Sequence, residues 1–155
     1  MRILLVCLGN YCRSPTAEAA VRKAAAEAGL DIEVDSAGTG EWHIGHPPDP
    51  RMTTAAAAAG LTLGGRGRLV TPEDFERFDL LAVMDKSNLA DVRALAPDEA
   101  GVAKVVLFRS FDPEATADEV PDPYYGGPDG FAEVVEIVRS AARGLVEHLR
   151  SRQGA

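Results

Sequence analysis

A thiol at position 7 and a guanidinium at position 13 bound the segment Cys7-Leu8-Gly9-Asn10-Tyr11-Cys12-Arg13, and Ser14-Pro15 follow directly. The apolar run before it, Met1 to Val6, reads as a buried strand, and Ser-Pro opens a helix. Thiol and arginine therefore share a tight loop where a strand hands over to a helix. Such a loop can turn backbone N–H groups toward one point, and a helix N-terminus adds partial positive charge there. Arg13 contributes an always-charged planar fork that matches phosphate oxygens. Gly9 gives the backbone freedom, while Asn10 tolerates a left-handed conformation and can brace the loop. The thiolate is the reactive form of a cysteine, and helix N-termini and neighbouring cations favour it. A nucleophile on the floor of an anion cradle is what phosphoryl transfer through a covalent intermediate requires. A cysteine and an arginine at this spacing form a weak motif alone. The strand before, Gly-Asn inside and Ser-Pro after give it weight.

The rest of the chain must hold that loop. Its 155 residues suit one domain spanning 1–155, with 46% apolar and 26% charged residues, an ordinary globular composition. A net charge of −8 argues against non-specific nucleic-acid binding, but a local cationic pocket is compatible with it. The apolar stretch Ile3 to Leu8 is too short for a signal-peptide core, and no run reaches membrane-spanning length. Two cysteines do not make a disulfide framework, so a reducing cytoplasm is the expected setting.

Strand-like and helix-like segments alternate. Ile3 to Val6 is continuously apolar, as in a central parallel strand. Ala17, Ala20, Val21, Ala24 and Ala28 share a helical face that Gly29 stops. Ile32 and Val34 alternate with Glu33 and Asp35, predicting a half-exposed second strand. Ser36 to Pro50 reads as loop, and Arg51 to Ala59 as helix. Thr71-Pro72-Glu73-Asp74 reads as a helix start with Thr71 as its cap. Leu80 to Met84 and Val105 to Phe108 are further strands, with a helix between them that Ser87 caps and Pro97 breaks. Residues 109–130, with Pro113, Pro121, Pro123 and Pro128, read as a long loop, functional or mobile. Phe131, Val134, Val135, Val138, Ala141, Ala142, Leu145 and Leu149 align on one face of a last helix. The alternation predicts an α/β architecture: a central four-stranded parallel sheet in three layers, with helices on both faces. Ligands of such sheets bind at the carboxyl ends of strands, where Cys7 to Arg13 lies.

These residues resemble the low-molecular-weight protein tyrosine phosphatases over nearly the whole chain. The resemblance rests on Cys7-Leu8-Gly9-Asn10-x-Cys12-Arg13-Ser14-Pro15, Asp35-Ser36-Ala37-Gly38-Thr39, Met84-Asp85 and Asp122-Pro123-Tyr124-Tyr125. It implies a flavodoxin-like fold and a metal-independent phosphatase without a cofactor. Cys7 would be the nucleophile, Arg13 the phosphate ligand and Asp122 the general acid and then base. Leu8, Gly9, Asn10, Tyr11, Cys12 and Ser14 would complete the phosphate and substrate pocket, with Trp42 and Tyr124 walling it. Asn10, Ser14 and Ser36 would support the loop, and Ser14 would hydrogen-bond the Cys7 sulfur. Cys12 is a small core residue or, as the family implies, a disulfide partner shielding Cys7. Tyr125 is structural or a phosphorylation target. The implied partner is a phosphotyrosine protein or peptide, in bacteria a tyrosine kinase or its substrates, and no nucleic acid or membrane. A monomer or weak dimer is expected.

Two positions depart from the family pattern. Gly65-Arg66-Gly67-Arg68 stands where many members carry His-x-Ala-Arg, which leaves bracing of Asn10 to water or another group. Tyr11 stands where an aliphatic residue is usual, and protein-arginine phosphatases have a small threonine, so Tyr11 argues against that variant. Thiol-coupled arsenate reduction needs cysteines beyond Cys7 and Cys12. A non-catalytic phosphate-binding module would lack the nucleophile or the acid, and both are present. His43 and His46 have the spacing of a metal pair but no completing ligands, so a metal is not expected. His148 reads as solvent-facing.

Overall fold

The computed structural model describes residues 1–124 and 127–153, and Tyr125 lies outside them. Four strands form one parallel sheet: β1 (Arg2–Cys7), β2 (Glu33–Gly38), β3 (Leu80–Val83) and β4 (Val105–Leu107), in the order β2-β1-β3-β4. The helices are α1 (Arg13–Glu27), α2 (Pro50–Ala58), α3 (Asp74–Arg77), α4 (Lys86–Arg93), α5 (Glu99–Lys104) and α6 (Pro128–Gln153). The expected α/β sheet with helices on both faces is what forms.

Successive residues of a strand face opposite ways, and β1 shows both faces covered. Ile3, Leu5 and Cys7 join the core with Ala17 and Val21 of α1, Met52 and Ala56 of α2, and Val134, Val138 and Leu145 of α6. Leu4 and Val6 join the opposite core with Phe75 of α3 and Val92 of α4. All four inner residues Ile3 to Val6 are fully buried. The strand that carries Cys7 is thus held from both sides, and its last residue emerges at the sheet's carboxyl edge. The apolar face predicted for the last helix is the face buried in the first core.

Several local boundaries differ from the sequence expectation. β2 runs on through Ser36, Ala37 and Gly38, residues that read as loop, because pairing with β1 continues to Cys7↔Gly38. Position 38 demands glycine for a packing reason. A Cβ there would lie 2.9 Å from the Asn10 nitrogen and the Leu8 oxygen. Ser87 does not cap α4; Asp85 does, its carboxylate accepting from the Asn88 N–H. Thr71 does not cap α3 either, since the position before that helix is Glu73 and the Thr71 N–H instead donates to Asp74 Oδ2 at 2.8 Å. At α4 a carboxylate took the cap that a hydroxyl was expected to supply, while α3 has no side-chain cap. α2 starts at Pro50, one residue earlier than expected, with Asp49 as its cap. The segment expected as loop after β4 includes a 3-10 turn, Phe108–Phe111.

Candidate active site

Between β1 and α1 the chain makes five residues of loop, Leu8 to Cys12, and its polar groups are committed in a definite sense. Thr39 and Gly40 donate their N–H groups to the carbonyls of Cys7 and Leu8, at 3.0 and 2.8 Å. Asp49 N–H donates to the Tyr11 carbonyl at 3.0 Å, and the Thr16 hydroxyl to that of Cys12 at 2.8 Å. In a trans peptide the following N–H points opposite to the carbonyl. The N–H groups of Leu8, Gly9, Cys12 and Arg13 therefore turn away from these outer partners, toward the loop's interior. The first turn of α1 has no side-chain cap, so its amide dipoles add to the same region. Asn10 alone among the described non-glycine residues has a positive φ, 52°, the left-handed geometry expected of it.

A cavity of about 510 Å³ opens above this loop. Cys7, Leu8, Gly9, Tyr11, Cys12, Arg13, Trp42, His43, Asp122 and Tyr124 line it, bringing together nearly all the residues that the sequence singled out. Asn10, Ser14 and Ser36 are buried behind the loop. The Ser14 hydroxyl lies 3.1 Å from Cys7 Sγ, and Asn10 Nδ2 donates to Ser14 Oγ at 2.8 Å and to Ser36 Oγ at 3.0 Å. Asn10 Oδ1 accepts from the Arg68 backbone N–H at 3.0 Å. That contact answers what braces Asn10 when glycine holds position 65.

Arg13 is 3% exposed, and its Nη1 donates to Asp85 Oδ2 at 2.7 Å and to the Val120 carbonyl at 3.0 Å. Its Nη2 lies 3.7 Å from Asp122 Oδ2. Burial opposes its charge, but Cys7, Asp85 and Asp122 outweigh burial and push its pKa up, so the cation is fixed. Asp122 is partly exposed and caps its own turn, Oδ1 accepting from the Tyr124 N–H at 3.0 Å. The loop that carries it is fastened at two consecutive carbonyls: Arg109 Nη1 bonds that of Glu119 at 2.9 Å and Arg13 that of Val120.

Burial raises the Cys12 thiol far above the ordinary thiol range, with the charges of Asp49, Cys7 and Asp122 acting in the same direction. Cys12 is therefore held neutral, and both cysteines are free thiols. Burial likewise raises the Tyr11 phenol, helped by Asp49, Cys12 and Tyr124. Asp49 moves the other way. Burial alone would raise it, yet hydrogen bonds from the Arg51 side chain and from the Arg51 and Met52 N–H groups bring its carboxyl below the usual range. Arg51 Cζ in turn sits over the rings of Tyr124, at 5.3 Å, and Phe131, at 4.7 Å, tying the 120s segment to α2 and α6.

Three contributors went unassigned in the sequence. Asp85 follows Met84 with no role evident from its neighbours; its place just past the carboxyl end of β3 is the signal that points to it. In the sequence His43 offers only half of a metal pair. Its ring stacks on Tyr11 at 3.8 Å with planes 4° apart and touches the space above Gly9. Glu18 accepts from the Ser36 hydroxyl at 2.7 Å. Trp42, 69% exposed, stands at the mouth as expected. His148 is exposed, with its ring 5.3 Å from Phe111.

Residues 2–154 match the model of the family described as low molecular weight phosphotyrosine protein phosphatase. The chain belongs to that family. A low molecular weight protein-tyrosine-phosphatase of Streptomyces coelicolor is 46% identical over 153 residues, covering 96% of this chain and 93% of that protein. A crystal structure of a protein tyrosine phosphatase from Entamoeba histolytica superposes with a TM-score of 0.95 at 36% identity, covering 99% of each chain. The YwlE arginine phosphatase superposes with a TM-score of 0.87 at 26% identity, covering 97% of this chain and 96% of that one; its structure is of a cysteine-to-serine variant with a phosphorylated active-site serine. This low-molecular-weight phosphatase is thus a cysteine-dependent hydrolase by family. Among its described residues no helix is long and apolar enough to cross a membrane.

Proposed function

We propose that this phosphatase hydrolyses phosphotyrosine in proteins or peptides through a cysteinyl-phosphate on Cys7. The observation that carries the reading is the placement of Cys7, Arg13 and Asp122 on one cavity whose other walls are the aromatic rings of Tyr11, Trp42, His43 and Tyr124. The phosphate sits on the loop N–H groups and on the part of the Arg13 fork not held by Asp85 and Val120, while the phenyl ring lies between the aromatic walls. Cys7 Sγ attacks phosphorus as the phosphorus–aryl oxygen bond breaks, and Asp122 gives its proton to that departing oxygen. Water then attacks the cysteinyl-phosphate and passes its proton to the Asp122 carboxylate. The phosphorus–sulfur bond breaks with its electron pair returning to sulfur, next to the Ser14 hydroxyl. The phosphorylated serine in the YwlE variant supports phosphoenzyme chemistry on this scaffold.

The aromatic lining favours an aryl ester over an alkyl one, and the Tyr11–His43 stack fills wall space that a small residue would leave open. The division of labour makes a testable prediction for the acid. Asp122→Asn should lower kcat/KM, which reports the steps through release of the phenol, by on the order of 10²-fold or more on aryl phosphates whose phenols are poor leaving groups. The loss should shrink for good leaving groups such as nitrophenol, which need no proton. Steady-state kinetics across a series of substituted phenyl phosphates checks this, and an equal loss across the series would remove Asp122 from the role.

A further inference from the structure

Behind the catalytic loop runs an unbroken line of hydrogen bonds that ends on a carboxylate outside the pocket. Ser36 Oγ donates to Glu18 Oε1 at 2.7 Å, Asn10 Nδ2 donates to Ser36 and to Ser14, and Ser14 Oγ meets Cys7 Sγ at 3.1 Å. Hydroxyls can point either way, so distances alone do not give the line a direction. Its two ends do.

At one end Glu18 is an ionised carboxylate paired with Arg22 at 2.8 Å, and a carboxylate only accepts. Ser36 must therefore spend its single proton on Glu18 and present a lone pair to Asn10. At the other end the Arg68 backbone N–H, which only donates, holds Asn10 Oδ1. The Asn10 amide is then oriented from both sides, with both Nδ2 protons committed to Ser36 and Ser14. Ser14 receives a proton from Asn10, so its own proton remains to donate. The acceptors within reach are Cys7 Sγ at 3.1 Å and the Ala37 carbonyl at a longer 3.4 Å. An anionic sulfur is much the stronger acceptor.

We propose that Glu18 is a positioning residue that fixes the direction of this line, so that the Ser14 hydroxyl donates to the Cys7 sulfur as it leaves phosphorus. The inference rests on the reading that Cys7 carries the phosphoryl group. It also gives a role to the space beside Gly65, where a small polar cavity of about 70 Å³ is lined by Asn10, Glu18, Ser36 and Gly65 among others. With no side chain at position 65, Glu18 reaches the loop through Ser36 instead.

The two chemical steps feel this donor differently. In the first step a weaker bond from Ser14 leaves less thiolate but a more nucleophilic one, and the effects oppose each other. In the second step the sulfur is the leaving group, and the donor only helps. Glu18→Gln keeps the size of the side chain but lets its amide donate to Ser36, which turns the Ser36 proton toward Asn10 Nδ2 and removes the anchor on that side of the Asn10 amide.

The experiment is pre-steady-state and steady-state hydrolysis of nitrophenyl phosphate by the wild-type protein, Glu18→Gln, Ser36→Ala and Arg22→Gln. Glu18→Gln should lower kcat by about tenfold and leave kcat/KM within about twofold, with phosphoenzyme accumulating to a larger burst. Ser36→Ala should behave alike, and the double variant no worse than either. Arg22→Gln, which removes the ion pair but leaves the carboxylate, should match the wild type. Equal falls in kcat and kcat/KM, an unchanged kcat, or the same loss in Arg22→Gln would overturn the inference. A wild-type protein inert toward nitrophenyl phosphate would instead sink the Cys7 mechanism itself.

Discussion

Cys7→Ser is expected to abolish turnover of aryl phosphates, by about 10⁴-fold or more, while leaving phosphate binding within a few-fold of wild type. The expectation follows from what surrounds the sulfur. Cys7 is 2% exposed, and the groups near it are hydrogen-bond donors and a buried cation rather than a base. Such surroundings stabilise an anion already formed; they do not take a proton from a serine hydroxyl, whose pKa is far above that of a thiol. The substitution is nearly isosteric and touches neither Arg13 nor the loop carbonyls that Thr39, Gly40 and Asp49 hold outward. Binding and chemistry should therefore separate. Kinetics with nitrophenyl phosphate and calorimetric titration with inorganic phosphate check the two halves. A variant that keeps wild-type turnover, or one that loses phosphate binding together with turnover, contradicts the account.

Arg13→Ala is expected to cost both catalysis and stability. The guanidinium is nearly enclosed and joins three parts of the molecule: the loop, Asp85 after β3, and the Val120 carbonyl in the acid-bearing segment. Its removal takes away the fixed charge facing the transferring phosphoryl group. Loss of one preorganised donor costs about 10²–10³-fold in rate, and a charged one that also fastens the acid should exceed that, at roughly 10³-fold or more in kcat/KM. It also leaves Asp85 without its partner. A broken buried pair costs about 3–5 kcal/mol, and the partial exposure of Asp85, 22% of its side chain, lowers this to roughly 2–3 kcal/mol. Arg13→Lys should recover part of the stability and little of the rate, because a point charge cannot bond Asp85 and a phosphate in one plane. Urea unfolding and kcat/KM measured on both variants test this; a lysine variant as active as wild type would contradict it.

What could be read in the sequence was what is local. β1 is recognisable because both its faces are buried, so its residues are apolar without interruption. α6 is recognisable because one face alone is buried along its length. The loop between β1 and α1 carries its chemistry in consecutive residues, and Asp122 lies in a family motif. The misjudged features share a different property, which is that partners distant in the chain decide them. Ser36 to Gly38 look like loop residues, and only pairing with β1 makes them strand. Asp85 is separated from Arg13 by 72 positions, and Glu18 from Ser36 by 18, so neither spacing carries a signal. His43 shows nothing of its stack on Tyr11 until the segment after β2 folds back over the loop. The cap of α4 has a narrower cause: with a serine and an aspartate both near a helix start, propensity does not say which one reaches the free N–H.

The central claim is that the phosphoryl group passes through Cys7. Rapid acid quench during turnover of phosphotyrosine, followed by mass spectrometry of the proteolysed protein, tests it most directly. The expected result is a phosphoryl group on the peptide containing Cys7, gained within the burst phase and absent from Cys7→Ala. A protein that turns over phosphotyrosine with no phosphorylated intermediate, or with the group on any other residue, contradicts the account.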